Sequence, residues 1–360
     1  MLNYFWCKLC KADCMKEIAT LLEGQSNILF IAPTGWGKTT LLLDLIKESS
    51  KPWVYLAPLR ALANEFYLRV SKIKGSFLIK SFKEAQELFD NGIEFKLLII
   101  TPELLSSESL LKLPRDSIFV FDEVHLFSYW GESFRPRLRE CFEDILALGF
   151  STLSLTATMD RKLLEQWKEE SKLSGLENHY IINLKNHSLK KDPSKRVLIV
   201  PLFKAVFFDE LKARRVQHAT LIFCKYRQEV KALKKVLLNN GFSVLSCIGG
   251  EAQQFSLDLL QTPKPDFILS TSTLSHGVNL PLISRVYISY KIDNFDFWIQ
   301  MIGRAGRRGE EFSIYTHDHK FLCKKELCFS FLYLLFIKLK NMIYPYEFRR
   351  YFNSQDPVQG

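Results

Sequence analysis

This chain of 360 residues is expected to be an α/β protein with two tandem domains, each a parallel sheet flanked by helices. Three observations carry that expectation. Short apolar runs alternate with segments of helical periodicity along most of the chain, the pattern left by strands that helices bury on both faces. The alternation stops once, at a polar and basic stretch that includes Lys190-Lys191-Asp192-Pro193, and then resumes. The length also leaves room for two separate cores of ordinary domain size.

In chain order, residues 1–26 read as an N-terminal helix, with Ile18, Leu21 and Leu22 at helical spacing and Gly24 as its stop. Strand-like runs follow at residues 27–31, 53–56, 96–100, 118–121 and 152–155. These make up a first domain, residues 1–187, and residues 188–196 read as a linker. The second domain, residues 197–318, has strand-like runs at 197–200, 220–223, 243–246 and 267–270, with a helix expected over 229–238. Residues 319–360 are expected to form a C-terminal helical extension. The uncharged run at 327–337 is about half the length that a bilayer-spanning helix requires, so it reads as a helix packed on the second domain, and no membrane is implied. No internal repeat or low-complexity segment is visible.

Composition narrows the class. Hydrophobic residues make up 47% of the chain and charged residues 24%, which excludes large-scale disorder. The net charge of +10 is the footprint of a protein that neutralises phosphates, although a merely soluble basic protein shares it. Eight cysteines without a cleavable signal pattern are expected as reduced thiols in an intracellular compartment, cytoplasmic or nucleoid-associated if DNA is the substrate. Cys7, Cys10 and Cys14 cluster, but a metal or iron–sulfur site needs a fourth ligand and none lies nearby, so ordinary thiols are the better reading.

The chain is organised around residues 32–40, Ala-Pro-Thr-Gly-Trp-Gly-Lys-Thr-Thr, where an apolar run turns into a helical pattern. Gly35 and Gly37 let the loop fold without Cβ clashes and turn backbone N–H groups toward one point, and the following helix adds its positive end. Pro33, Thr34, Gly35, Gly37, Lys38, Thr39 and Thr40 are the candidate phosphate cradle. Lys38 is expected on the β- and γ-phosphates and the Thr39 hydroxyl on Mg²⁺. The loop has one glycine fewer than the consensus expects at its first position; a glycine turn that binds nothing is the bland alternative.

Two further stretches carry chemistry. Asp122-Glu123-Val124-His125 follows a buried run, so both carboxylates emerge at a strand end. Brought beside the cradle by the sheet, Asp122 is expected to hold Mg²⁺ and Glu123 to orient and deprotonate an attacking water, against the alternative of a solvated acidic turn. Gln300-Met301-Ile302-Gly303-Arg304-Ala305-Gly306-Arg307-Arg308-Gly309 sets arginines three apart with glycines beside them. Gln300, Arg304 and Arg307 are catalytic candidates, the arginines acting on phosphate from the second domain; the bland alternative is a basic nucleic-acid patch, the reading preferred for Arg308.

Together, and in this order, these stretches resemble the two-domain superfamily 2 helicases, over roughly residues 14–310. The resemblance implies two RecA-like domains hydrolysing ATP with Mg²⁺ while gripping a single-stranded or forked nucleic acid. Ala57-Pro58-Leu59-Arg60-Ala61-Leu62-Ala63-Asn64-Glu65 and Thr101-Pro102-Glu103 look like the strand-contacting motifs of the first domain, which puts Arg60 and Thr101 on the nucleic acid. Ser154-Leu155-Thr156-Ala157-Thr158 looks like the motif that couples hydrolysis to domain movement, so His125, Thr156 and Thr158 are coupling candidates. Residues 221–224 and 270–281 fit the second-domain motifs, with Thr271 and Thr273 on the strand and Gly277 at the nucleotide. The box at 122–125 and its companions look most like DEVH-box helicases, which include archaeal repair helicases and exosome-associated RNA helicases. Ser128-Tyr129-Trp130-Gly131-Glu132-Ser133-Phe134-Arg135-Pro136 is similar to the aromatic-rich loop of RecQ DNA helicases, which favours DNA over RNA and makes Trp130, Phe134 and Arg135 stacking candidates. Trp130 and Phe134 read alternatively as core aromatics.

There are departures. The glutamine that often reads adenine in this family has its place at Cys14 here, which leaves other nucleotides open as substrates. The chain ends about 50 residues after the arginine motif, which reads as a bare motor without the repair helicases' further domains. Direction, by resemblance, is 3′ to 5′. One alternative is a motor subunit of a larger assembly, such as the CRISPR-associated helicases, whose cradles often carry an aromatic where Trp36 stands; the apolar helix at 327–337 would be its docking surface. Another is RNA remodelling.

Overall fold

The structure, a computed structural model, describes residues 2–6, 11–131, 135–184, 189–200, 218–275, 280–292 and 294–343. The chain divides into two compact units, Met1–Leu189 and Lys190–Gly360.

In the first unit, β1 (Leu2–Trp6), β2 (Ser26–Ile31), β3 (Trp53–Leu56), β4 (Ser76–Leu78), β5 (Leu97–Ile100), β6 (Ile118–Asp122), β7 (Ser151–Thr156) and β8 (Asn178–Asn183) form one sheet. Its order is β1-β8-β2-β7-β6-β3-β5-β4, and every pairing is parallel. Successive side chains on a strand point to opposite faces, so a strand covered on both sides must be apolar at every position. On one face Leu29, Val54, Phe119 and Phe121 pack under the helices Phe82–Asp90, Pro136–Ala147 and Arg161–Leu173. On the other, Ile28, Phe30, Tyr55 and Val120 pack under the helices Lys11–Glu23, Lys38–Glu48 and Arg60–Val70.

The five strands expected from apolar runs in this unit all form, displaced by a residue at most. The expectation of a helix from residue 1 needs correction, because Leu2–Trp6 is an edge strand paired with β8, and the described helix is Lys11–Glu23. Tyr4, Phe5 and Trp6 are the residue types that strands favour, and the helical spacing of Ile18, Leu21 and Leu22 does not extend back to them. Two strands carried no legible signal: β4 is three residues long, and β8 begins and ends in asparagine with a histidine next to the first.

In the second unit, β9 (Lys195–Leu198), β10 (Ala219–Phe223), β11 (Val244–Cys247), β12 (Phe267–Ser270), β13 (Ile283–Ile288) and β14 (Ser313–Thr316) form a parallel sheet in the order β11-β12-β10-β13-β14-β9. The stretch read as a linker runs into β9, which pairs with β14 at the sheet edge. β13 and β14 had no expected counterpart, since Ser284 and Arg285 interrupt the first and the second, Ser-Ile-Tyr-Thr, has only two apolar residues between polar ends.

The helices Arg227–Asn239 and Lys324–Ile343 cover one face of this sheet, with Val230, Leu237 and Ile337 in its core. The second of them is tied down at β9: the Leu198 backbone N–H donates to Ser330 Oγ at 2.9 Å, and the Lys195 ammonium sits 4.5 Å from the centre of the Tyr333 ring. The far side of this helix leaves Phe331, Leu332, Leu335, Phe336 and Leu339 exposed. Among the described residues, no helix is long and apolar enough to cross a membrane.

Candidate active site

β2 runs into the loop at 32–37 and the loop into the helix Lys38–Glu48. Gly35 and Gly37 have φ of 75° and 106°, the left-handed region where a side chain is strained, so the loop's path depends on glycine at both. The Trp36 backbone N–H donates to Pro33 O, and the Trp36 ring packs edge-on against Phe30 at 5.3 Å, pinning the loop to the core below it. Lys38 Nζ donates to the loop carbonyls Ala32 O at 2.8 Å and Pro33 O at 3.3 Å. Thr34 bridges to Leu189, Thr39 is half-buried and Thr40 exposed. Gly37 gives the helix no side-chain cap, so its first N–H groups are available to an anion.

The sheet decides where the carboxylates lie. Tyr55 of β3 is in register with Val120 of β6, and both lie on the face that carries the helix Lys38–Glu48. Asp122, two residues beyond Val120, therefore comes out on the cradle's side. Its Oδ2 accepts a hydrogen bond from the Tyr55 hydroxyl at 2.5 Å and its Oδ1 one from the Glu123 backbone N–H at 3.0 Å. Burial, with the Glu123 charge adding to it, pushes the Asp122 carboxyl up to about 6, while the Tyr55 hydrogen bond and the Lys38 charge pull it down. Burial raises the Tyr55 phenol well above its usual value, and Asp122 raises it further.

Glu123 is the one non-glycine residue with positive φ among the described residues, at 51°. Its Oε2 is buried with no hydrogen-bond partner and lies 3.6 Å from His125 Nδ1. A strained backbone that carries a buried carboxylate oxygen with no hydrogen bond is the arrangement of a functional residue. Thr39 and Asp122 offer the hard oxygen donors that Mg²⁺ takes, so the residues present fit that ion and a nucleoside triphosphate.

His125, Thr156 and Thr158 come together as one buried network. His125 Nδ1 is 2.9 Å from Thr156 Oγ1, which donates to Thr158 O at 2.6 Å and accepts from the Thr158 backbone N–H at 3.1 Å. The network joins the segment after β6 to the end of β7.

Of the strand-contacting candidates in this unit, Arg60 opens its helix and is exposed, whereas Thr101 is buried in the turn after β5. The Arg135 guanidinium is engaged within the unit: Nε donates to Glu103 Oε1 at 2.8 Å, and its terminal nitrogens bond Glu103 and Pro58 O. It thus braces the segments after β3 and β5, a role that sequence reading missed because nothing local pairs residue 135 with residue 103. Phe134 and the Trp130 side chain lie outside the described residues. So do Cys7 and Cys10, whereas Cys14 is buried in its helix; among the described residues no cluster of His, Cys, Asp or Glu could hold a metal ion.

In the second unit the Thr271 and Thr273 hydroxyls lie 3.0 Å apart after β12, and Gly277 lies outside the described residues. Gln300 is buried on the helix Phe295–Ile302, and the two arginines follow in the next turn. Arg304 is only 5% exposed and donates from Nε and a terminal nitrogen to Ser275 O at 3.1 and 2.6 Å, so it holds the arginine turn to the segment carrying Thr271 and Thr273. Arg307 is half-buried, with Nε donating to Gly303 O at 2.9 Å. Gly306 between them has φ of 70°, and a Cβ there would meet the Phe312 ring at 2.7 Å, so only glycine makes this turn.

Residues 12–166 match the DEAD/DEAH box helicase family and residues 203–309 the helicase conserved C-terminal domain. The two matches together cover more than half of the chain, and the chain belongs to the superfamily 2 helicases. It is 25% identical over 313 residues to the probable ATP-dependent DNA helicase RecS of Bacillus subtilis, covering 81% of this chain and 61% of that protein. It is 23% identical to the ATP-dependent RNA helicase dbp3 of Aspergillus terreus, over 83% of this chain and 66% of the relative. With the RecQ-like DNA helicase blm-1 of Caenorhabditis elegans it shares 25% identity over 81% of its own length, spanning 31% of that longer protein. The chain therefore spans less than two thirds of the length of each of these relatives. Its fold is that of Mss116p bound to ssRNA and AMP-PNP, with a TM-score of 0.67 at 18% identity over 88% of this chain and 77% of that one. It is also similar to the Mycobacterium smegmatis helicase Lhr bound to ssDNA and AMP-PNP, with a TM-score of 0.61 at 18% identity over 84% and 45%.

Proposed function

We propose that the protein is an ATP-dependent helicase or translocase that moves 3′ to 5′ along single-stranded or forked nucleic acid, DNA in preference to RNA. The observation that carries the catalytic part is Glu123, whose strained backbone and unpartnered buried oxygen lie on the strand end beside Asp122. Backbone N–H groups of the cradle and Lys38 bind the triphosphate; Thr39 and Asp122 would hold Mg²⁺, which would supply charge neutralisation. Glu123 accepts the proton of the attacking water, with His125 beside it linking it to Thr156. Arg307 acts on the γ-phosphate, while Arg304 holds the turn that presents it and Gln300 lies buried on the helix before that turn. Arg60, Thr271 and Thr273 grip the strand through its phosphates, a contact nearly indifferent to base sequence.

Two substitutions separate binding from chemistry. Lys38→Ala is expected to abolish both binding of a fluorescent ATP analogue and turnover. Glu123→Gln is expected to keep the analogue bound and lower turnover by at least about 100-fold, the lower end of a general base's usual contribution. A Glu123→Gln variant that turns over at the wild-type rate removes Glu123 from the mechanism.

The preference for DNA rests on the stretch at 128–136 and on relatives such as RecS; the RNA helicase dbp3 supports RNA remodelling on equal sequence grounds. A second reading, that of a motor subunit, is favoured by the exposed apolar side of the helix Lys324–Ile343. ATPase stimulated by nucleic acid without strand displacement by the purified protein would select it.

A further inference from the structure

We propose that Tyr55 is a positioning residue for the Mg²⁺-holding carboxylate, fixing in advance the orientation in which Asp122 meets the metal. This rests on the reading of Asp122 as a Mg²⁺ ligand. Tyr55 sits opposite Val120 across the β3–β6 ladder, and Asp122 is the next residue along the same face. A diagonal neighbour on a sheet is within reach of an aromatic side chain, and here the hydroxyl donates to Asp122 Oδ2 at 2.5 Å. The ring is held: it stacks on Phe66 with centroids 3.8 Å apart and planes 13° from parallel, and it is 2% exposed.

Asp122 Oδ1 is fixed as well, by the Glu123 backbone N–H at 3.0 Å. Both carboxylate oxygens thus have one donor each, and each retains lone-pair capacity for a cation or its waters. A carboxylate clamped at both oxygens loses no rotational freedom when a metal arrives, whereas an unclamped one does. Packing alone does not account for the hydroxyl. Trp53, Val54 and Leu56, the rest of β3, are buried, and a phenylalanine at 55 would stack on Phe66 just as well. What tyrosine adds is a donor aimed at Asp122. Hydrogen-bond partners of metal-ligating carboxylates commonly account for 10–100-fold in metal affinity.

Tyr55→Phe keeps the ring and deletes only the donor. In the full chain, binding of a fluorescent ATP analogue is titrated with Mg²⁺ beside the Mg²⁺ dependence of ATP hydrolysis. The half-saturating Mg²⁺ concentration is expected to rise about 10-fold in both assays, with kcat recovering toward wild type at saturating Mg²⁺. A merely structural hydroxyl would lower the melting temperature and leave that concentration where it was. An unchanged or lower half-saturating Mg²⁺ in Tyr55→Phe, beside a wild type whose analogue binding depends on Mg²⁺, overturns the role of Tyr55 alone. A wild type whose binding does not depend on Mg²⁺ overturns the reading of Asp122 together with it.

Discussion

Glu123 and the two arginines show how much a residue's surroundings add to its sequence motif. The two arginines look equivalent in the sequence, three apart in one glycine-rich stretch, yet Arg304 is buried with its guanidinium on Ser275 O and Arg307 is half-buried. Arg304→Ala therefore removes two charge-assisted hydrogen bonds from a buried carbonyl. It is expected to cost the second unit about 2–3 kcal/mol of stability, read as a lower denaturant midpoint. Arg307→Ala is expected to leave that midpoint and analogue binding unchanged and to slow nucleic-acid-stimulated hydrolysis by about 10³-fold or more. The reverse pattern, an unstable Arg307 variant and a stable, inactive Arg304 variant, would exchange their roles. The cradle and the carboxylates were legible because their chemistry is local, with glycines, a lysine and paired acids at fixed spacing. Tyr55 was not, since its partner lies 67 positions away and only the β3–β6 register joins them.

At the scale of elements, strands buried on both faces announce themselves as apolar runs, which is why β2, β3, β5 and β6 were legible, while β7, Ser-Thr-Leu-Ser-Leu-Thr, showed itself by alternation. Very short strands and interrupted ones did not, because β4, with three residues, is too short to show a period and Arg285 breaks β13. Among the buried polar residues of the first sheet, Asn27 is one that the packing uses. Asn27 of β2 is fully buried, donating from Nδ2 to Ser171 Oγ at 2.8 Å and accepting from Thr152 Oγ1 at Oδ1. It links β2 and β7 to the helix Arg161–Leu173. Asn27→Ala would leave those hydroxyls short of a partner in a dry core, and chemical denaturation of the first unit should show a loss of about 2–3 kcal/mol. A loss below about 0.5 kcal/mol would mean that the network carries no weight.

At the scale of the whole molecule, two parallel sheets in one chain divide the labour. The first unit holds the cradle, both carboxylates and the buried His125–Thr156–Thr158 network; the second holds the arginine turn and the Thr271 and Thr273 hydroxyls. Both units set these groups mainly in the segments that follow strands, where open α/β sheets place their ligands. Hydrolysis of ATP on the first unit is expected to answer to nucleic acid. Steady-state ATPase of the purified chain, measured with and without matched single-stranded DNA and RNA and repeated with Lys38→Ala, tests it most directly. Hydrolysis is expected to rise several-fold with nucleic acid, more with DNA than with RNA, and to disappear in Lys38→Ala. A rate that is the same with and without either nucleic acid, or that persists in Lys38→Ala, would contradict it.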